Sequence, residues 1–553
     1  MRRRGLLTAA ACAPLLGCAP DAPPALTGGW VGANAERGHR WRDNTKSGAW
    51  PEPALQSRAD VLVVGAGVAG LAAARALVAA GITDVRLFDL EDVPGGNSRG
   101  HAMGGMACPL GAHYLPVPGE RAVEVIALLD ELGLRRVENG QPVYDERHLC
   151  HSPQERMFIA GHWHEGLLPP LDALPVEQRA ATQAQYRRFA AAVEQLSGGG
   201  NAFAIPTARS AWSPALDALD AVTFASWLDA QQLSAPALRW YLDYCCRDDY
   251  GAGAAQVSAW AGLHYFASRH GFHAPGDSGD YERDGVLTWP EGNAWLARRL
   301  AQPLGDRVQT GAIALQVSEE RHEVRVDVWN DRARRVERWR APQVVLATPL
   351  FIAARLLRTP VDALTRAVDA MRHAPWLVAN LQLADALDDR PGAPPSWDNV
   401  IYETGPAGAM LGYVDAMHQS TRPYPGPTVL TAYWALGGDS AAQLQAQRAR
   451  LLAEPWQAWA AAIVQDLARA HPDLPRKLQR IDLMRYGHAM SIPVPGLRSS
   501  AALHALAQAQ RRVHFAHADL SAYSVFEEAL YHGTRAASQV RAAFAGVPLR
   551  PAG

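Results

Sequence analysis

The sequence predicts an α/β fold in which a dinucleotide-binding β-α-β domain is interleaved with a mixed α+β cap. Three observations carry this expectation. The four-residue apolar run at 61–64 leads through Gly65, Gly67 and Gly70 into the small-residue stretch LAAARALVAAG, and a second apolar strand, DVRLFDL, follows and ends near Asp89. Sheet-type and helix-type blocks then alternate along the chain as sheet, cap, sheet, cap, sheet. A chain of 553 residues exceeds what one hydrophobic core supports, so two intertwined domains are expected.

The elements follow in order. Residues 1–18, MRRRGLLTAAACAPLLGC, join an arginine cluster to an apolar stretch too short to span a membrane, which reads as an export signal. Arg3 and Arg4 fit a loose twin-arginine pattern, and Leu15-Leu16-Gly17-Cys18 fits a lipoprotein box that would attach the protein to a membrane through lipidated Cys18. Residues 19–57 show neither helical nor strand periodicity and are expected to be an extended arm. The nucleotide-binding domain is expected at 58–119, 285–350 and 481–545. The cap is expected at 120–284, broken at Gly198-Gly199-Gly200, and at 351–480.

Composition excludes several function classes. With 53 basic and 55 acidic residues the chain carries no basic surface suited to nucleic acid. Cys108, Cys150, Cys245 and Cys246 have no zinc-type spacing, so no metal is expected, and buried free thiols are the expected state. Lysine occurs only at Lys46 and Lys477.

The glycines carry the chemistry. In the run Gly65-Ala66-Gly67-Val68-Ala69-Gly70 the first glycine permits the tight turn, the second lets backbone approach a pyrophosphate, and the third lets helix pack on strand. Amides at the helix start then face the diphosphate charge. Asp89, followed by Leu90, stands where an acid accepts hydrogen bonds from ribose hydroxyls and repels a phosphate there. This is a Rossmann-like fingerprint, shared by NAD and FAD proteins.

Gly95-Gly96 prolong the fingerprint, and with CPLGAHYL at 108–115, VVLATPLF at 344–351, FAHADLS at 515–521 and FEEALYHGTRAA at 526–537 the chain resembles the flavin-containing amine oxidase, polyamine oxidase and phytoene desaturase superfamily. The resemblance implies a glutathione reductase-like domain that binds FAD. Asn97 and Ser98 would follow the glycines along the cofactor, and Gly111, Ala112 and His113 would line the flavin ring. Ala314 would meet adenine, Asp519 the ribityl-phosphate arm, and Phe526 and Glu527 would open a helix whose positive end faces the flavin carbonyl and stabilises the charge of reduced flavin. Gly96-Asn97-Ser98-Arg99 departs from the family's Gly-Gly-Arg, so either Asn97 binds differently or Arg99 takes the phosphate. His517 replaces a family glycine. The lysine that many of these oxidases carry is absent from the matching strand at 374–383.

The cap segments YCCRDDYGAG and SAWAGLHYFASRHGFH bring acids, aromatics and histidines together, and Asp248 or Asp249 beside an aromatic wall would suit a cationic amine. SWDNVIYE at 396–403 and GHAMSIPVPG at 487–496 read as loops lining a pocket. The catalytic candidates are His113, His517, Asp248, Asp249 and Tyr265. Three readings stand open: hydride removal from a C–N bond of a small-molecule amine, such as a polyamine; dehydrogenation of an apolar substrate with a quinone or protein as acceptor; and a non-catalytic, lipid-anchored flavoprotein. Oligomeric state is not legible.

Overall fold

The computed structural model of the protein describes residues 26–546 apart from 49, 198–201, 270, 276–284, 403–409, 421, 423 and 509–510. The expected export signal with Cys18, and the Gly198-Gly199-Gly200 break, lie outside the described residues.

Strand Val61–Val64 reads as a continuous apolar run because it is covered on both faces. Val61 and Val63 pack with the helices Val68–Ala79, Ala294–Ala301 and Phe526–Phe544. Leu62 and Val64 pack against a four-stranded sheet made of Ala312–Glu319, Val324–Asn330, Arg335–Ala341 and Leu55–Arg58. The strand lies at the centre of a five-stranded parallel sheet in the order Val308–Thr310, Val85–Asp89, Val61–Val64, Gln343–Leu346, Val513–Phe515. Both expected strands and the helix between them are present, as is the return of sheet sequence near residue 308.

The second large unit is built on an eight-stranded sheet. Its strands run Gly28–Trp30, Leu478–Ile492, Arg372–Leu383, Thr428–Ala435, Gly412–Asp415, Asp398–Ile401, Glu155–Ile159 and His162–Glu165. Helices Pro236–Tyr250 and Ala259–Ala267 share its main core. All four described cysteines are free thiols; Cys108, Cys245 and Cys246 are buried, and Cys150 is half-buried.

Three expectations are corrected. The 19–57 arm is not extended throughout. Gly28–Trp30 joins the sheet in parallel register with Ile481–Leu483, and Ala35–Ser47 is a helix capped by the Asn34 side chain and ended by left-handed Gly48. That helix buries Arg37 and Trp41 and is held largely by ion pairs, so it shows no apolar stripe. Residues 481–492 pair along Arg372–Leu383 and therefore belong to the cap sheet, although they fall inside a stretch expected for the nucleotide domain. In SWDNVIYE, Asp398–Ile401 is a strand, its apolar residues buried in the sheet, and none of the described residues 396–402 lines either cleft described below.

The helix Phe526–Phe544 lies against Val68–Ala79 through Gly533, where a Cβ would come within 2.2 Å of the Ala69 carbonyl oxygen. Replacing glycine by alanine inside an unconstrained helix stabilises it by about 0.8–1.0 kcal/mol. Here the two backbones would have to separate, so Gly533→Ala is expected to cost about 1–3 kcal/mol, read from the urea midpoint. A variant as stable as the parent would show that the helices do not meet at this point.

Candidate active site

Gly65 adopts a positive φ of 102°, and a Cβ on Gly70 would fall 1.8 Å from the Gly65 carbonyl oxygen, so the strand turns into the helix within a space only glycines leave open. The Gly95-Gly96 turn then closes on the same point: a Cβ on Gly96 would lie 3.1 Å from the Gly67 Cα. Between these walls opens an elongated cleft of about 610 Å³. Gly65, Gly67, Val68 and Ala69 line one side of it, with Asp89, Leu90, Gly95, Gly96, Asn97 and Ser98 beyond them. Ala112, Ala314, Asp519, His517 and Phe526 complete the expected set. Ala66 and Gly70 stand behind the wall, the Ala66 N–H donating to the Asp89 carboxylate at 2.6 Å.

Asp89 also accepts from the Glu91 N–H at 2.8 Å, and burial raises its pKa against these two bonds. Each oxygen keeps capacity for a further donor. Asp519 is almost fully buried; it accepts from the Leu350 N–H at 2.9 Å and faces His373 at 3.1 Å and His517 at 3.3 Å. Burial would raise its pKa, but the two histidines hold it well below the usual carboxylate range. The same His517 nitrogen lies 3.1 Å from the Asp519 backbone nitrogen, so the carboxylate and the backbone of residue 519 together position its ring. Arg99 does not reach this cleft. It is buried, donates to the Gly96 carbonyl at 3.0 Å and pairs with Glu91 at 3.3 Å, while Asn97 donates to the Ala489 carbonyl at 2.7 Å.

At Asn97, Ala112, Ala489, Ser524, Val525 and Phe526 this cleft joins a second chamber of about 140 Å³. Gly111 forms part of its floor, since a Cβ there would meet the Asn97 carbonyl oxygen at 2.2 Å. One wall is the cap sheet. Trp376 pairs directly with Tyr486, and Tyr433 sits opposite Val378 on the next strand, so alternation places all three rings on one face. The Tyr433 and Tyr486 hydroxyls donate to the Gly111 and Leu110 carbonyls at 3.1 and 2.8 Å, and His113 stacks on Tyr433 at 4.4 Å. Burial pushes the His113 pKa down to about 3, so its ring is neutral at physiological pH.

The opposite wall is acidic, and its two adjacent aspartates differ. Asp249 also lines the chamber, but it accepts from Arg269 at 3.0 and 3.2 Å and from the Tyr523 hydroxyl at 2.6 Å, so its charge is already paired. Asp248 has no hydrogen-bond or ion-pair partner among the described residues and lines the chamber. Burial, aided by the charge of Asp249, pushes its pKa up to about 7. Glu527, at the start of the helix Phe526–Phe544, also lines the chamber and is pushed up to about 7, mainly by burial. Tyr265 lines neither cleft; its ring lies under the Arg269 guanidinium at 4.6 Å. Sequence reading missed Arg269, Tyr433, Tyr486 and Trp376. Arg269 lay inside a quoted segment, and period-two alternation could have put the rings on one face, but only strand register brings them together.

The residues fit a bound FAD. The long cleft is lined by the ribose-type acid and by the start of a helix, and the Thr348 hydroxyl, which belongs to a residue lining it, is buried without a hydrogen-bond partner among the described residues. The chain resembles solved structures of putrescine oxidase bound to putrescine (TM-score 0.62, 19% identity, covering 88% of this chain and 100% of that one) and of cyclohexylamine oxidase from Brevibacterium oxydans (TM-score 0.62, 18% identity, covering 87% and 98%). A segment of 88 residues is 43% identical to putrescine oxidase from Kocuria rosea, spanning 15% of this chain and 18% of that relative. The family model for flavin containing amine oxidoreductase matches residues 68–541. With that match over most of its length and this cleft to hold the cofactor, the chain belongs to the flavin-containing amine oxidoreductase family and is an FAD-dependent oxidoreductase.

Proposed function

We propose that the protein oxidises a small amine, of which a diamine or polyamine is one form, by removal of hydride from the carbon next to nitrogen. The observation that carries this reading is Asp248, a carboxylate without a hydrogen-bond or ion-pair partner among the described residues, in a chamber of aromatic rings that joins the cofactor cleft. Burying an unpaired carboxylate costs several kcal/mol, and an ammonium group supplies the missing partner. Trp376, Tyr433 and Tyr486 offer ring faces to the same cation.

Bound FAD supplies the hydride acceptor. The residues of the chain orient the amine and manage its proton. Hydride removal requires a neutral amine, whereas amines arrive as ammonium ions. Asp248 and Glu527, both titrating near 7, can hold the released proton inside the chamber. His113, neutral and stacked on Tyr433, shapes the floor without adding a repelling charge. The apolar-substrate reading has no comparable support, because its pocket would not retain an unpaired acid. The arginine cluster and lipobox of residues 1–18 support export and anchoring through Cys18 as part of the same proposal.

Anaerobic mixing with a panel of monoamines, diamines and apolar alkenes is expected to bleach the flavin absorbance only with amines. Bleaching by the apolar substrates alone would overturn the reading. Asp248→Asn is expected to weaken amine binding at least tenfold, seen in the amine concentration that half-saturates bleaching.

The same carboxylate makes a stability test. Its folded pKa of about 7 lies above the roughly 3.9 of an unfolded aspartate, so the folded protein binds the extra proton between those values. The stability this group contributes is therefore present below about pH 4 and is lost as pH rises through 7. In the amine-free protein, Asp248→Asn should gain in urea midpoint relative to the parent from pH 4 to 7 and hold that gain above pH 8. A difference that does not vary with pH would mean that Asp248 is not the strained acid described.

A further inference from the structure

Residues 28–48 fall outside the 68–541 family match, yet they join both units, and their helix Ala35–Ser47 is built into the nucleotide end of the molecule. Gly28–Trp30 is stitched to the edge of the cap sheet, and Arg485 lies over the Trp30 ring at 4.6 Å. The helix Ala35–Ser47 is then tied to the turn that follows Asp89. The Asn34 N–H donates to the Glu91 carboxylate at 3.0 Å, and buried Arg37 donates to the Leu90 carbonyl and pairs with Asp92 at 3.0 Å and Asp331 at 3.2 Å. From this anchored helix, Gly38, His39, Trp41 and Arg42 line the long cleft on the same stretch as Asp89, Leu90 and Ala314.

We propose that this segment is a clasp that holds the adenosine half of FAD in place. Two physical arguments support it. Asp89, Glu91 and Asp92 crowd three acids onto one turn beside a site that must accept a diphosphate. Arg37, added by the clasp, and Arg99, paired with Glu91, offset that charge. Second, His39, Trp41 and Arg42 line the cleft in addition to the residues the β-α-β unit supplies, adding contact area for a flat base. The clasp acts on cofactor retention and stands apart from the Asp248 chamber, so it is independent of the amine-oxidation reading.

The test uses the FAD-loaded protein. Release of FAD after dilution is followed as a rise in flavin fluorescence, and ADP, which carries the adenosine diphosphate half alone, is titrated as a competitor of rebinding. His39→Ala, which leaves the anchors intact, and Arg37→Ala, which unhooks the helix from the Leu90–Asp92 turn, are each expected to release FAD about tenfold faster. ADP should lose potency by a similar factor. Should Arg37→Ala unfold the segment, read as lost helical circular dichroism, His39→Ala alone decides. Release within twofold of the parent in His39→Ala overturns the proposal, as does faster release with unchanged ADP competition. Amine bleaching restored by saturating FAD in both variants would separate this result from any failure at the substrate chamber.

Discussion

The Gly65 carbonyl occupies the space a side chain at residue 70 would need, and most of the molecule is arranged by that contact. It sets the angle at which the helix Val68–Ala79 leaves the central strand. That angle places Val68 and Ala69, the first residues of the helix, on the wall of the long cleft and brings the helix within backbone distance of Gly533. The central strand Val61–Val64 and the last helix, Phe526–Phe544, are therefore committed to one joint. Asp89, Gly95-Gly96 and Asp519 reach the cleft because strands and turns fan out from the same point.

The cofactor half of the fold was legible because its constraints are local. A strand buried on both faces has to be apolar throughout, a backbone contact has to be glycine, and an acid at the end of the next strand sits in register with both; Asp89 follows from spacing, and Gly96 from the resemblance to the family. The substrate half was less legible because its constraints are long-range. Tyr433, Trp376 and Tyr486 come from three strands whose register, not their sequence, sets one aromatic wall. The helix Ala35–Ser47 escaped notice since it is held by arginine–carboxylate pairs instead of an apolar stripe, although Asn34 and Gly48 mark its ends as caps. Asp248 and Asp249 could not be told apart in the sequence, because the difference between them is whether Arg269 arrives.

That difference illustrates how a helix divides labour. Successive residues project about 100° apart, so two neighbouring acids on Pro236–Tyr250 face different surroundings. Asp249 is spent on a buried ion pair that fastens Arg269 and Tyr523. Removing one partner of such a pair costs about 3–5 kcal/mol. Asp248, on the same helix, has no such partner among the described residues. Rigidity and reactivity thus come from adjacent positions with opposite electrostatic fates.

The path of the chain between its two large sheets has a mechanical meaning. It starts in the cap sheet at Gly28–Trp30, passes to the nucleotide sheet, returns at Glu155–Ile159, leaves again for Val308–Thr310, comes back at Arg372–Leu383 and ends in the nucleotide sheet at Val513–Phe515. A molecule laced together in this way has no single hinge, since any wide opening would bend every crossing at once. Substrate traffic must then rely on loop and side-chain movement.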